Sequence, residues 1–303
     1  MISLKSKCGC KGIRTCALCE HDSIPTAVPH QTSEFTFCSF CNVAEAGKLS
    51  MSNGSHIHEN SFLFPGVEVI HNFIDEAEEA MLIDSIDGQR WFLSQSGRKK
   101  QDYGPKVNFK RQKVHIGNFT GLPAYCKFLI TRYNNRLKQS TFQSEFLPVE
   151  LCNLEYESIR GACIAPHYDD SWLWGDRLVT VNLCGSTCLT FTLPTNGFIG
   201  EINDEIKRIH SSVPENTLTD AFCVRVPLHR RSLIVVSGPA RYLWQHEIRR
   251  SDIPTRRVAM TFRELSGLFT PNSPNLTKEQ VIGKQLLEIA STYDGQICNG
   301  QNL

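Results

Sequence analysis

Residues 178–193 read LVTVNLCGSTCLTFTL and decide the fold class. They form two short segments rich in β-branched and aromatic residues, joined by a Gly-Ser turn, and this pattern is typical of neighbouring strands. No long helical pattern interrupts the chain from about residue 150 to 265, which favours an antiparallel sandwich or jelly roll over βαβ units. The strands predicted in this β core are 151–156, 178–183, 187–193, 221–228, 232–237 and 258–265.

Helices are predicted on both sides of the core, so the predicted fold class is mainly β with flanking helices (α+β). Residues 75–87 begin at Asp75, which can cap a helix, with a Glu at the capping-box position. Residues 277–293 begin at Thr277, with a Gln three residues later, and their apolar residues fall on one face.

Length and composition limit the domains and the partners. The 303 residues are 41% hydrophobic, enough for one large domain or two ordinary ones, and the net charge is only +1. No apolar run reaches the ~18 residues that span a bilayer, and residues 1–20 lack the apolar core of a signal peptide. We expect an intracellular monomer with reduced thiols and no membrane partner, in which residues 1–62 form a separate Cys-rich region and residues 63–303 form the main domain.

Three residues offer the ligands of a 2-His-1-carboxylate metal site. His167 and Asp169 are two residues apart, so an extended chain directs both side chains to the same face. His246 is expected to reach them from a neighbouring strand. This donor set suits iron(II), manganese or zinc and leaves positions open for chemistry, so we predict that the three residues are the catalytic metal ligands. His-x-Asp alone arises by chance in many chains, and the prediction therefore depends on its surroundings.

Two arginines follow the last of these ligands. Arg257 and Arg263 are six residues apart, so they share one face of an otherwise apolar strand. A guanidinium group can bind a carboxylate through two parallel hydrogen bonds. Surface salt bridges are the simpler explanation, but burying two guanidinium groups without a partner is costly. The pair therefore indicates a site for a small carboxylic acid near the metal.

These residues resemble the AlkB family of iron(II)- and 2-oxoglutarate-dependent dioxygenases. The family pattern is His-x-Asp, a distant His, and Arg-x5-Arg that ends in Thr-Phe-Arg. The matching residues here are His167, Asp169, His246, Arg257 and Arg263, with Thr261 and Phe262 before the last arginine. The resemblance covers roughly residues 65–295, and further support comes from the stretches Cys8–Cys16, Ser94–Arg98, Gln101–Phe109 and Asp169–Gly175.

The resemblance implies a double-stranded β-helix (jelly-roll) catalytic core that binds iron(II) and 2-oxoglutarate. It implies that Arg257 binds the far carboxylate of 2-oxoglutarate and that Arg263 lies nearer the metal. It also implies that Asn153 and Tyr156 help to hold the cosubstrate, although the family pattern is Asn-x-Tyr and one extra residue separates them here. The implied reaction removes N-methyl groups oxidatively and releases formaldehyde, succinate and carbon dioxide.

The substrates that the resemblance implies are methyl-lysine in a protein such as actin, N6-methyladenine in DNA, or both. It implies action in the cytoplasm and nucleus, and at the cytoskeleton or midbody. The residues themselves do not separate the two substrates. The alternative is a non-catalytic jelly roll that binds protein or nucleic acid and carries a vestigial metal site, but the complete set of metal and arginine residues argues against it.

A basic segment at residues 94–113 lies where the resemblance places a substrate lid. Residues 98–113 contain seven Lys or Arg and one Asp, a net charge of +6 (7 − 1). Such a segment can hold a nucleic-acid backbone and stack a base on an aromatic ring. A solvated loop, or a docking surface for an acidic protein, is the alternative. The predicted lid residues are Arg98, Lys99, Lys100, Tyr103 and Lys106.

Cysteines are concentrated at the start of the chain. Six of the 13 cysteines are Cys8, Cys10, Cys16, Cys19, Cys38 and Cys41. The first four could enclose one tetrahedral zinc ion, and the last four form an alternative set with zinc-ribbon spacing. A disordered, thiol-rich tail that binds no metal is the third interpretation.

Overall fold

The computed structural model describes residues 10, 16, 17, 19, 32–46, 50–52, 55–57, 60–139, 144–193, 221–271 and 274–298. The strands are β1 (Thr32–Cys38), β2 (Val43–Ala46), β3 (Ser50–Ser52), β4 (Ser55–Ile57), β5 (Ser61–Leu63), β6 (Val67–Ile70), β7 (Phe92–Leu93), β8 (Lys99–Tyr103), β9 (Lys106–Asn108), β10 (Lys113–His115), β11 (Pro148–Tyr156), β12 (Ile164–His167), β13 (Trp174–Asn182), β14 (Thr187–Thr192), β15 (Ala221–Leu228), β16 (Ser232–Val236), β17 (Gln245–Ile248) and β18 (Arg257–Leu265). The helices are α1 (Glu76–Asp87), α2 (Lys127–Leu137), α3 (Gly238–Tyr242) and α4 (Lys278–Ala290). Short 3-10 turns cover Phe109–Arg111, Ala124–Cys126, Ser158–Arg160 and Arg250–Asp252.

Two seven-stranded sheets form the body of the described fold. The first sheet has the order β12-β17-β14-β15-β1-β2-β5, and the second has the order β6-β16-β13-β18-β11-β8-β7. Neighbouring strands in both sheets run antiparallel, except that β1 and β15 are parallel. The mainly β jelly-roll prediction is confirmed.

The strands of the second sheet are apolar on both faces because each face is covered. In β13, Leu178 packs into the core between the two sheets, whereas Val179 and Val181 pack into a second core on the other side. In β16, Ile234 and Leu233 divide between the same two cores. Alternation along the strand produces this division. The six strands predicted from the sequence are all present, and their ends differ by a few residues.

The helices cover the outer face of the second sheet. Leu82 of α1, Tyr133 of α2 and Leu286 of α4 join the outer core with side chains from β11, β13 and β18. The described fold therefore has three layers, in the order first sheet, second sheet and helices. The space between the two sheets is available for a site. No helix in the described ranges is both long and apolar enough to cross a bilayer.

The two predicted helix starts are confirmed at atomic detail. Asp75 accepts a hydrogen bond from the N–H of Glu78, whose side chain accepts one in return from the N–H of Asp75. Thr277 and Gln280 make the same reciprocal pair at the start of α4. Each capping box satisfies two backbone N–H groups that a helix leaves free at its start.

The predicted boundary near residue 62 is wrong. Residues 32–46 contribute β1 and β2 to the first sheet, and residues 32–36 of β1 pair with β15. Phe35 and Phe37 of β1 are buried in the core between the sheets. The β3–β4 ribbon also lies before residue 62. The sequence misleads here because the apolar residues of β1 form only a short alternating run, whose partner lies far along the chain.

Gly283 gives a test of how closely α4 packs. Alanine normally stabilises a helix interior by about 1 kcal/mol relative to glycine. A Cβ at Gly283, however, would lie 1.8 Å from the carbonyl oxygen of Phe269. We expect Gly283→Ala to lower the free energy of unfolding by roughly 1–3 kcal/mol, as overpacking does. Urea unfolding measures this change.

Gly267→Ala is the matched control, because a Cβ there meets no atom within 4 Å. Its free energy of unfolding should stay within about 0.5 kcal/mol of the wild-type value. A Gly283→Ala protein as stable as the wild type would contradict this account of helix packing.

Candidate metal and cosubstrate site

The candidate site is a cavity between the two sheets. Every second side chain of a strand faces the opposite sheet, so both sheets contribute to its walls. Arg257, Ala259, Thr261 and Arg263 of β18 line it at even spacing. Its apolar walls include Leu178, Leu189, Leu228, Ile234, Val236 and Ile248.

The structure brings the three predicted metal ligands together in this cavity. His167 in β12 and His246 in β17 are direct partners in the antiparallel register, with ring centroids 4.3 Å apart. Asp169 follows β12, and its Oδ2 lies 3.4 Å from Nε2 of His246. One ligand atom from each residue lies within 4.8 Å of the other two. A single ion can therefore reach all three.

The imidazole of His167 is a neutral ligand. Its Nδ1 lies 2.8 Å from the carbonyl oxygen of Ala165. A carbonyl can only accept, so Nδ1 carries the proton and Nε2 keeps its lone pair. Burial, together with the nearby His246, lowers the pKa of His167 to about 4, so the ring is uncharged at neutral pH. Within the described part of the chain, Nδ1 of His246 is buried without a hydrogen-bond partner, as occurs where an ion or water completes a network.

Asp169 is held as a carboxylate. Burial favours its neutral form, but the guanidinium of Arg263 and the two histidines outweigh burial, so the pKa of the Asp169 carboxyl lies well below its usual range. Nε of Arg263 donates to Oδ1 of Asp169 at 2.8 Å. Arg241, which is buried, donates to the backbone carbonyl of Asp169 at 2.8 Å. One carboxylate and two imidazoles of this kind fit iron(II).

Carboxylates of the protein itself contact Arg263. Besides its bond to Asp169, Nη1 donates to Oε2 of Glu150 at 2.5 Å, and the guanidinium lies 5.8 Å from the centre of the Trp174 ring. Burial alone would lower the pKa of Arg263, but Asp169 and Glu150 raise it by more, so the guanidinium stays charged. Arg263 therefore orients a metal ligand. Its predicted contact with the cosubstrate stays a prediction.

Arg257 has no carboxylate partner among the described residues, although it is only 2% exposed. Its Nε donates to Oδ1 of Asn182 at 2.7 Å, and its guanidinium lies 4.9 Å from the centre of the Tyr156 ring. An unpaired buried charge costs several kcal/mol, and a bound carboxylate would offset that cost. The cavity thus holds a guanidinium without a carboxylate partner on the β18 wall, facing the sheet whose strands β12 and β17 carry the two histidines.

Tyr156 and Asn153 lie on opposite faces of β11. A separation of three residues has this effect because side chains alternate along a strand. Tyr156 lines the cavity. Asn153 is buried on the far side, where its Nδ2 donates to Oε1 of Gln101 at 2.9 Å and to the hydroxyl of Tyr125 at 2.8 Å. The prediction that Asn153 binds the cosubstrate is corrected, since Leu154 takes the place in the cavity wall.

Most of the predicted lid is an internal strand. Lys99, Lys100 and Tyr103 belong to β8, which pairs with β7 and β11 in the second sheet. Nζ of Lys99 lies 3.0 Å from Glu155, and Nζ of Lys100 lies 2.6 Å from Asp102. Tyr103 is buried. Carboxylates therefore neutralise both lysines, and the lid prediction is wrong for β8.

The other lid residues lie at the two ends of β8. Arg98 is buried and donates from Nε to the carbonyl of Gln95 at 3.2 Å. Lys106 starts the two-stranded β9–β10 ribbon. The exposed basic side chains of this segment are at the ribbon tip, next to the half-exposed Phe109, and they are Lys110, Arg111 and Lys113.

The structure also separates the two zinc hypotheses. The sulfur atoms of Cys10, Cys16 and Cys19 lie within 4.8 Å of one another, while Cys8 lies outside the described residues. Cys38 and Cys41, at the β1–β2 turn, do not join this group. The alternative set of Cys16, Cys19, Cys38 and Cys41 is therefore not assembled.

Three residues of the site are absent from the sequence prediction. Glu150 shares the strand parity of Tyr156, and Asn182 shares that of Thr180, so alternation could have placed both near the cavity. Arg241 lies in the short helix α3, and no local pattern marks it as a residue that supports Asp169.

Arg263→Lys should weaken metal binding. Lysine cannot bridge Asp169 and Glu150 with a fixed fork. Loss of such a supporting contact typically lowers metal affinity by roughly 10–100-fold. Iron(II) or cobalt(II) titration of the purified protein measures the affinity without any need for turnover.

Arg177→Lys is the control, because Arg177 makes a comparable buried pair with Glu264 outside the cavity. It should lower stability but leave the metal affinity within about threefold of wild type, as expected for sites without shared partners. Equal losses of affinity in the two variants would show that Arg263 has no special part in holding Asp169.

Comparisons with known proteins agree with these observations. No protein-family model matches the chain. The chain is 39% identical over 308 residues to "Alpha-ketoglutarate-dependent dioxygenase alkB homolog 4" of Mus musculus, covering 97% of each protein. It is 39% identical over 305 residues to the Homo sapiens protein of the same name, covering 96% of this chain and 95% of that protein. It is 33% identical over 288 residues to the Caenorhabditis elegans "DNA N6-methyl adenine demethylase", covering 87% of this chain and 88% of that protein. Identity over nearly the whole length confirms the resemblance: the chain belongs to the AlkB family of iron(II)- and 2-oxoglutarate-dependent dioxygenases.

Proposed function

We propose that this protein is a dioxygenase that removes methyl groups from nitrogen by oxidation. The observation that carries the proposal is one cavity lined by His167, Asp169, His246 and the guanidinium of Arg257, which has no carboxylate partner among the described residues. The first three supply a metal face, and the fourth supplies a counter-charge for a small dianion. A site that only bound macromolecules would need neither.

The residues have separate tasks in this proposal. His167, Asp169 and His246 hold iron(II), and Arg263 keeps Asp169 ionised and oriented. Arg257 binds the far carboxylate of 2-oxoglutarate, with Asn182 and Tyr156 fixing its guanidinium in place. None of these groups needs to transfer a proton.

The bound iron and 2-oxoglutarate supply the activation of dioxygen, with overall consumption of one methylated amine, one 2-oxoglutarate and one dioxygen, and formation of the amine, formaldehyde, succinate and carbon dioxide. The apolar walls, including Leu178, Ile234 and Val236, keep bulk water out of the reacting space. The protein itself therefore binds and orients the reactants and excludes bulk water from them.

The substrate class that we propose is an N-methylated nitrogen in a macromolecule. N6-methyladenine in DNA is supported by the name of the Caenorhabditis elegans relative. Methyl-lysine in a protein such as actin is the second candidate, and the exposed basic tip of the β9–β10 ribbon would suit an acidic partner of either kind.

We also propose that the protein acts as a monomer inside the cell, in the cytoplasm and nucleus. None of the described cysteines is in a disulfide, which would suit a reducing compartment. Cell fractionation tests the location, and light scattering of the purified protein tests the monomer.

Asp169→Ala should reduce succinate formation to background, because the metal loses its charged ligand. The assay supplies iron(II), 2-oxoglutarate and a methylated substrate, and circular dichroism checks the fold. Asp170→Asn is the neighbouring control, since its side chain accepts a hydrogen bond from Trp172 rather than facing the metal ligands. The site assignment fails if Asp169→Ala and Asp170→Asn turn over alike.

Arg257→Lys should raise the KM for 2-oxoglutarate by roughly 10–100-fold, since a hydrogen bond to a charged group contributes about 1.5–3 kcal/mol. Arg256→Lys is the matched control, because Arg256 points away and pairs with Asp87 and Glu155. An unchanged KM in Arg257→Lys would remove Arg257 from the cosubstrate site.

A parallel turnover assay decides between the two substrates. Methyl-lysine actin peptide and N6-methyladenine DNA are supplied in turn, and formaldehyde and succinate are measured. Release of formaldehyde with one substrate identifies it. Tight 2-oxoglutarate binding without turnover on either would favour the non-catalytic alternative.

A further inference from the structure

Three cysteine thiols meet outside the catalytic cavity. The sulfur atoms of Cys10, Cys16 and Cys19 lie within 4.8 Å of one another, and none of the three is in a disulfide. Sγ of Cys16 lies 3.8 Å from Sγ of Cys19. Two thiolates that bind one tetrahedral zinc ion at ~2.3 Å are about 3.8 Å apart. The observed separation is therefore that of two ligands on one zinc ion.

Backbone N–H groups point at these sulfur atoms. The N–H of Ser96 donates to Sγ of Cys10 at 3.2 Å, and the N–H of Cys16 donates to Sγ of Cys19 at 3.2 Å. Burial raises the pKa of the Cys10 thiol, and a further hydrogen bond from the backbone of Gly97 offsets part of that rise. A neutral thiol is a weak acceptor, whereas a metal-bound thiolate carries negative charge that such donors stabilise. These donors would stabilise the thiolates that a bound metal ion requires.

We propose that Cys10, Cys16 and Cys19 bind a structural zinc ion. Soft thiolate ligands select zinc, and the Cys16-x2-Cys19 spacing is common in structural zinc sites. Each thiol releases its proton when it binds the metal. Cys16 is fully buried and the other two are half-buried, so bulk water has little access.

This zinc ion fastens the N-terminal segment to two turns beside the catalytic cavity. One turn holds Ser96, whose carbonyl accepts a hydrogen bond from the N–H of Cys163 at 3.0 Å. The other holds Gly161, which touches Ala17 so closely that an added Cβ would lie 2.5 Å from the Ala17 Cβ. Ile164, three residues after Gly161, lines the cavity and starts the strand that ends at His167.

The first test measures zinc in the full-length protein. All samples carry Asp169→Ala, so that zinc bound at the catalytic ligands does not obscure the result. We expect about one zinc ion per chain in this parent, and at least a fivefold loss in Cys16→Ser and Cys19→Ser. Cys41→Ser is the matched control, because Cys41 is exposed at the β1–β2 turn and outside the cluster, and it should keep its zinc.

Cobalt(II) substitution of the same parent gives a second readout that needs no cysteine variant to fold. We expect a thiolate-to-cobalt charge-transfer band and the strong visible absorption of tetrahedral cobalt, since the catalytic ligands contain no sulfur. The proposal is overturned if the parent holds no zinc and shows no such band. It is also overturned if Cys41→Ser loses zinc as Cys16→Ser does, or if iron and sulfide occupy the cluster.

Hydrogen–deuterium exchange then tests what the zinc ion does. Removal of zinc by a chelator should raise exchange severalfold at residues 94–98 and 157–163, with little change in α4. Exchange that does not change at both turns would overturn the fastening role. Because these readouts do not involve turnover, their failure is distinct from a failure of the proposed demethylase activity.

Discussion

The ion pair between Arg263 and Asp169 is the interaction on which the rest of the site depends. Arg263 belongs to the second sheet and Asp169 follows a strand of the first, so the pair joins the two sheets where they approach each other. Glu150 binds the same guanidinium. Together, Arg263, Asp169 and Glu150 carry a local net charge of −1 (1 − 2) beside the metal ligands. That local charge suits a divalent cation.

The two arginines of one strand differ in role because their neighbours differ. Both face the same cavity, and six residues separate them. Arg263 has two carboxylates of the protein beside it, whereas Arg257 has an amide oxygen and an aromatic ring. The first is therefore satisfied within the protein, whereas the second has no carboxylate partner among the described residues. Fold and chemistry thus come from the same alternation of side chains along β18.

Local patterns in the sequence predicted much of the fold and the site. Alternation and turn residues located the strands of the β core, capping pairs located α1 and α4, and the spacing of His167 and Asp169 pointed to a metal site. Features that depend on contacts between residues distant in sequence could not be predicted. Nothing near Lys99 reveals that Glu155 neutralises it, and so β8 looked like a basic lid. The separation of three residues between Asn153 and Tyr156 implies opposite faces of a strand. The family pattern nevertheless led to the prediction that both hold the cosubstrate.

The parallel pairing of β1 with β15 has a consequence for any shortened form of the protein. β1 lies between β15 and β2, and it carries Phe35 and Phe37 into the sandwich core. A chain that began near residue 60 would leave β15 as an open sheet margin with unpaired backbone groups and uncovered aromatic packing. Such margins recruit strands from other molecules. Shortened chains should therefore self-associate. A loss of activity in them would then reflect aggregation rather than a catalytic role for the removed residues.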